Sequence, residues 1–397
     1  PPARTHPAQK GSPQAMIRLA LRMLTGDRLK YFGLLAGMAF AAMMIAQQAS
    51  IFFGLKAQTG GFIREMPSVD LWVMDEQVRF SEDDKPLPDT AAQRIKGIDG
   101  VDWAVPLYKA WQRARLADGT RLQVVIVGVD DATLVGAPAQ MVEGSTLDLR
   151  RDPGVIIDVR DAATKLRLER SNGGPLKVGD SLNINDSDAR IVGTYSATAS
   201  FFWDPVIYTT YSRAVRMAPA QRQMMSFVLV KVRPGADIKA VQKRITDTTG
   251  YTARTGPEFE SITAAYILKS TGILVNFGMA VGLGFIIGLL VTGQTFFNFT
   301  LDNSRYFAAL KAMGATATTL IAMVVSQVMA VSLLSFGIGV GVAALVGTFI
   351  AKTDLAFLMP WYVVVFTLVS MLLVGLASAI LSLIKVLRLE PGVVFRT

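Results

Sequence analysis

Residues 305–316 read RYFAALKAMGAT, and the fold turns on what this stretch is. Phe307, Leu310 and Met313 recur at helical spacing, Arg305 and Lys311 flank them, and Gly314 stands where a helix would stop. On both sides the charges disappear. Residues 270–301 and 312–351 contain no Asp, Glu, Lys or Arg, and each exceeds the roughly 20 helical residues that cross a bilayer's hydrocarbon core. The second run is long for one span, so AMGATATTL is assigned to the loop and the start of that span. The pattern predicts a short amphipathic helix at 301–316 joining two membrane spans.

Two further uncharged runs, 31–55 and 355–384, bring the expected spans to four: 31–55, 270–300, 317–350 and 361–385. Basic residues precede the first run, as in a signal peptide. It is too long for one, however, and IAQQASIFFGLKAQTGG (45–61) offers no cleavage site, so a retained helix is expected. Basic residues near span ends set orientation. Arg18, Arg22, Arg28 and Lys30 precede the first span, Arg305 and Lys311 follow the second, and Lys385, Arg388 and Arg396 follow the fourth. These groups belong on the cytosolic side of the membrane, with both termini (an amphipathic helix at 16–30 and a tail at 386–397) inside. Residues 56–268 and the short turn 351–360 then lie outside, and the Pro-rich residues 1–15 are expected as a disordered tail.

Composition agrees. Of 397 residues, 51% are hydrophobic and 18% charged, too apolar for an ordinary soluble chain. The net charge of +9 comes from scattered residues without a Lys/Arg run, so no nucleic-acid partner is expected. There is no Cys, and the only His is His6 in the tail. Disulfides, thiolate metal sites and histidine catalysis are thereby excluded.

The outer segment has a different texture. VDLWVMD (69–75) reads as a strand, PDTAAQRIKGI (88–98) as a short helix, and residues 101–130 as strands folded about Asp118-Gly119. The stretch 173–195 is rich in short strands and turns, and 226–246 resumes with a strand, a Pro-Gly turn and a helix. An α+β subdomain at about 60–137 and 216–265, split by a β-rich insertion at about 138–215, is expected. The fold class is thus an α-helical membrane protein with four transmembrane helices and a large extracytoplasmic α+β domain.

No G-x-x-x-x-G-K-[ST] or G-x-S-x-G stretch occurs. The carboxylates Asp83, Asp84, Asp130, Asp131, Asp186 and Asp188 lack the spacing of a calcium loop and are taken as turn residues; no catalytic or metal site is expected. The spans hold amides (Gln47, Gln48, Asn276, Gln294, Asn298, Gln327) but no charge, which disfavours an ion-driven carrier. Gly33 with Gly37, Gly278 with Gly282, Gly284 with Gly288, and Gly337 with Gly341 repeat at helical spacing and suit close helix packing. Phe201, Phe202 and Trp203 stand before an Asp-Pro turn. They form either subdomain core or an exposed contact for a lipid-like substrate, the bilayer or a partner.

LDNSRYFAALKAMGATATTLIAMVVSQ (301–327), following FGMAVGLGFIIGLLVTGQTFF (277–297), resembles the core of FtsX/MacB-type permeases of ABC transporters. MIRLALRMLTGDRLKYFGLLAGMAFA (16–41) is similar to that family's N-terminal helix and first span, and LRLEPGVVFR (387–396) to its ending. The resemblance implies a MacB-like periplasmic core with a β-rich insertion. It implies that Arg305, Tyr306, Phe307, Leu310, Lys311, Met313 and Gly314 dock on a separate cytosolic ATPase, with Leu389, Glu390 and Pro391 as a second contact. Tyr306 stands where many relatives carry Glu. ATP and magnesium would be bound by that ATPase, leaving this chain non-catalytic and without a cofactor. Within the superfamily the chain looks closest to DevC, permease of a three-part exporter. That likeness implies a second permease copy, a periplasmic adaptor and an outer-membrane channel. An FtsX-like transducer that activates cell-wall hydrolases, or a LolC/LolE-like lipoprotein-release subunit, is the alternative.

Overall fold

The computed structural model describes residues 13–83, 85–167, 174–197, 201–350 and 355–387. In chain order the helices and strands are α1 (Pro13–Gly26), α2 (Arg28–Thr59), α3 (Gly61–Arg64), β1 (Leu71–Met74), α4 (Ala91–Lys96), β2 (Val101–Arg115), β3 (Arg121–Val129), β4 (Met141–Glu143), β5 (Gly154–Asp158), α5 (Val159–Ala163), β6 (Ser181–Ile184) and β7 (Ser187–Tyr195). There follow β8 (Val206–Thr210), α6 (Tyr211–Met217), β9 (Phe227–Val232), α7 (Ile238–Thr249), β10 (Thr252–Thr255), α8 (Gly256–Ser270), α9 (Ile273–Asp302), α10 (Ser304–Ala312), α11 (Ala317–Ile350) and α12 (Trp361–Leu387). Leu55–Thr271 form one compact unit, the sheet domain, and the chain on either side of it forms the other, a helical bundle.

In the bundle, α2, α9, α11 and α12 are long and apolar enough to cross a membrane. Their core gathers Leu34, Met38, Ile45, Phe296, Val324, Val331, Met371 and Val374. Helix α1 begins at Pro13, so it reaches three residues into the segment expected as tail. It is amphipathic: Ala20 and Leu24 are buried while Arg18 and Arg22 stay exposed. A buried amide fastens it, Gln327 Nε2 donating to the Ala20 carbonyl at 2.7 Å.

The sheet domain is built on ten strands in the order β10-β1-β9-β2-β3-β8-β5-β7-β4, with β6 pairing β2 and β7. Strand β2 serves both halves: Val101–Leu107 pair with β9 and Tyr108–Arg115 with β3. On one side of it, the antiparallel strands β10, β1, β9 and the first part of β2 share a core with α4 and α7. A second core holds Trp72, with Phe227 and Phe259 at 5.8 and 5.6 Å between ring centroids. On the other side of β2, β3 pairs parallel with β8, β8 antiparallel with β5, and β5 parallel with β7. Local chemistry sets the ends of these elements. Asp118-Gly119 closes the β2–β3 hairpin with Gly119 at φ +85°, and Asp237 caps α7 by accepting from Lys239 N–H.

The expected division at residue 138 is corrected. Strand β8, placed in the insertion, hydrogen-bonds directly to β3, placed in the host, so both belong to one sheet and the division runs through β2 after Leu107. The reason is the ladder: β3 has a second edge whose buried N–H and C=O groups need a partner.

Candidate functional site

The segment between α9 and α11 is held from both ends. Asn303 breaks the backbone after α9, its Nδ2 donating back to the Phe299 carbonyl at 2.9 Å, and α10 starts at Ser304. At the far end Gly314 takes φ +93°. Its N–H reaches the Lys311 carbonyl at 3.1 Å and Ala315 N–H reaches the Leu310 carbonyl at 2.9 Å. This Schellman stop uses the left-handed conformation that glycine adopts without strain. Thr316 then opens the next span by accepting from Thr319 N–H.

The structure divides the expected docking residues into two groups. Phe307 is 1% exposed and Leu310 packs against the same bundle core, so these two hold α10 in place. Lys311 Nζ donates to the Leu387 carbonyl at the end of α12, at 3.0 Å. The outward face consists of Arg305, Tyr306, Ala312 and Met313, with Tyr306 63% and Met313 76% exposed. A single apolar stripe of Phe307, Leu310 and Met313 is thereby corrected: Met313 lies past the last full turn, where the chain bends, and points away from the other two. Sequence reasoning missed the ion pairs alongside, where Lys30 Nζ meets Asp302 at 2.6 Å and Asp27 at 3.2 Å. Leu389, Glu390 and Pro391 lie outside the described residues.

The glycine expectation also needs correction. A Cβ on Gly37 would lie 2.6 Å from Val291 Cγ1, one on Gly288 2.9 Å from Ala41 Cβ, and one on Gly284 3.4 Å from Ile45. Gly33, Gly278, Gly282, Gly337 and Gly341 face open space. The tightest α2–α11 approach is instead at Gly339, whose Cβ would meet the Ala39 carbonyl and Ala42 Cβ at 2.5 Å. Spacing alone identifies a stripe but not which way it faces.

Two family models cover the chain. One, described as the MacB-like periplasmic core domain, matches residues 32–248, and the other, the FtsX-like permease C-terminal, matches 278–391. The chain belongs to the FtsX/MacB-like family of ABC-transporter permeases. Among solved structures it is similar to the extracellular domain of the noncanonic ABC-type transporter YknZ from Gram-positive bacteria. Identity there is 14% over 47% of this chain and 99% of that one, with a TM-score of 0.34. It is also similar to the periplasmic region of MacB from Actinobacillus actinomycetemcomitans, at 13% identity over 50% of this chain and 94% of that one, with a TM-score of 0.37. No curated protein matches the chain.

In this permease the sheet domain falls within the match to the MacB-like periplasmic core domain, and its aromatic loop has two characters. Phe202 packs between Trp111 and Phe80, at 5.7 and 6.2 Å, and Phe80 stacks on Tyr266 at 4.9 Å. Trp111 Nε1 donates to Asp204 at 3.0 Å, and burial pushes the Asp204 carboxyl above its ordinary range. Trp203 is turned outward at φ +57°, 42% exposed. The carboxylates noted in the sequence do structural work: Asp130 accepts from Thr133, Asp131 from Ser212 and Asp188 from Asn183. Asp83 pairs with Arg79, while Asp84 lies outside the described residues.

Proposed function

We propose that this permease works as the membrane subunit of an ATP-driven exporter whose separate cytosolic ATPase seats on α10. The observation that carries this reading is the two-sidedness of α10. Its inner face is locked into the bundle through Phe307 and Leu310, while its outer face offers Arg305, Tyr306 and Met313. A helix gripped on one side and open on the other passes a push from a partner to the spans without dissipating it in local motion. The uncharged spans fit this reading, since energy arrives from ATP and no ion needs a titrating partner at membrane depth. Both termini in the cytosol, an inner-membrane location and a DevC-like three-part export system with a periplasmic adaptor and outer-membrane channel belong to the same proposal. So does pairing of two copies, for which the open glycines of α9 and α11 allow close approach.

The test is co-purification with the candidate ATPase of the same operon, followed by an ATPase assay. A Tyr306→Asp, Met313→Asp double variant is expected to insert and melt as wild type does, yet retain less than a tenth of the ATPase. If that variant binds and stimulates the ATPase fully, α10 is a connector and the exporter reading loses its support.

A further inference from the structure

The far strands of the sheet domain carry a charge pattern that coupling to an ATPase does not use. Directly opposed residues in a sheet share a face. The registers Arg115↔Arg121, Arg113↔Gln123, Arg115↔Asn183, Asn183↔Asp188 and Ser181↔Arg190 therefore put Arg113, Arg115, Arg121 and Arg190 on one face. Alternate residues, among them Ala114, Val124, Leu182 and Ala189, turn into the core beneath. All four arginines are exposed, and among the described residues none makes an ion pair with a carboxylate. The one carboxylate in the row, Asp188, accepts from Asn183 at 3.3 Å. Arg115 directly opposite Arg121 is a destabilising arrangement. Among the described residues no ion pair to a carboxylate ties up either guanidinium, which leaves both open to an anion supplied from outside.

The neighbouring backbone says what kind. Strand β2 pairs with β9 only as far as Leu107 and with β6 only from Ala114, so residues between them have no strand partner on that edge. The Ser226 hydroxyl occupies both main-chain groups of Lys109, and Asn185 N–H takes the Arg113 carbonyl at 3.0 Å. By the alternation of the strand, the N–H and C=O of Trp111 point into the opening between. Two cavities lie along this part of β2, one of about 350 Å³ lined by Arg115, Asn183 and Asp188, and one of about 530 Å³ lined by Trp111, Arg113, Gln123 and Asn185. Main-chain donors and acceptors beside guanidinium groups suit a polypeptide, whose backbone extends the edge while its carboxylates meet the arginines.

We propose that this face docks an acidic, extended segment of a partner protein outside the cytosol. The proposal rests on the exporter reading only for the side of the membrane, and its test involves no ATPase, so the two fail separately. Full-length protein in nanodiscs is titrated with a fluorescein-labelled 12-residue peptide of alternating Glu and Thr. A Lys/Thr peptide, phosphatidylglycerol vesicles and inorganic phosphate serve as comparisons. The Glu/Thr peptide is expected to bind saturably and more weakly as salt rises, with at least a tenfold loss in an Arg113→Gln, Arg115→Gln, Arg121→Gln variant. Arg121→Gln alone is expected to weaken binding while raising Tm by about 1–3 °C, because it removes the opposed charge. Peptide binding that is absent from wild type, or unchanged in the triple variant, overturns the proposal. Vesicles or phosphate that displace the peptide and lose affinity in the same variant overturn it too, in favour of a lipid or a free anion.

Discussion

Phe307 and Met313 belong to one short segment and have opposite surroundings, 1% and 76% exposed. Truncation should therefore separate their roles. Phe307→Ala is expected to cost the bundle about 3–5 kcal/mol through lost burial and the cavity left behind, read as a lower Tm in detergent. Met313→Asp is expected to leave Tm in place and weaken only ATPase retention. Glycines divide the same way. Gly339→Leu forces a side chain against the Ala39 carbonyl, 2.5 Å from where its Cβ must sit, and is expected to cost about 1–3 kcal/mol or more as overpacking. Gly278→Leu meets open space. It is expected to spare the Tm of the single chain and to lower the dimer fraction seen by native mass spectrometry, if the permease pairs across α9. A 3.6-residue period shows that such residues share a stripe. It does not show which neighbour the stripe meets, which is why Gly339, at the tight contact of α11 with α2, was not legible while Gly37 and Gly288 were.

At the scale of elements, the parts written in local chemistry could be read from the chain. The Ala-Met-Gly-Ala stop of α10, the Asp118-Gly119 turn and the strand at 69–75 each depend on residues within a few positions of one another. Helix α8 begins with such a device. Thr255 accepts from Glu258 N–H, and Glu258 accepts from Thr255 N–H at 2.9 Å and from Gln242 at 2.9 Å. The Thr255 backbone N–H, foremost, holds the Glu258 carboxyl below its ordinary value of 4.5. Because folding favours the charged form, this stabilisation is complete above that ordinary value and is lost as pH falls through the lower folded one. Glu258→Gln is expected to cost about 0.5–1 kcal/mol at pH 7, and the gap to wild type should narrow as pH falls below 4.5 in melts of the full chain. A gap that stays constant as pH falls would mean that the carboxylate's charge contributes nothing to the cap. The pairing of β8 with β3 was not legible in this way, because its partners lie far apart in sequence and nothing local selects between them.

For the molecule as a whole, under the proposed exporter reading a stroke through the sheet domain has to cross β2, the strand that both halves share. The crossing is fixed by a buried knot. Lys109, side chain 4% exposed, meets Glu82 at 2.8 Å and the Ser81 carbonyl at 3.2 Å, with Phe62 of α3 under its ammonium at 3.9 Å. Ser226 at the start of β9 accepts from Lys109 N–H at 3.0 Å and donates to the Lys109 carbonyl at 2.9 Å. Lysine is seldom buried without a partner, so its place here ties α3, the loop at Glu82, β2 and β9 at one point. Removing one partner leaves a charge with neither water nor a counter-ion, at a cost of about 3–5 kcal/mol, whereas replacing both with apolar side chains restores most of that. Lys109→Met is accordingly expected to accelerate hydrogen exchange in β9 and in the far part of β2 in the full-length permease. The Lys109→Met, Glu82→Leu pair should return exchange close to wild type. Because the double variant keeps the packing and the Ser226 bonds but has no charge, it also asks whether the ion pair is needed for transport itself. Wild-type export with restored protection would make the pair a structural pin. Lost export with restored protection would mean that the charge pair itself is needed for transport, beyond its part in holding the two halves together.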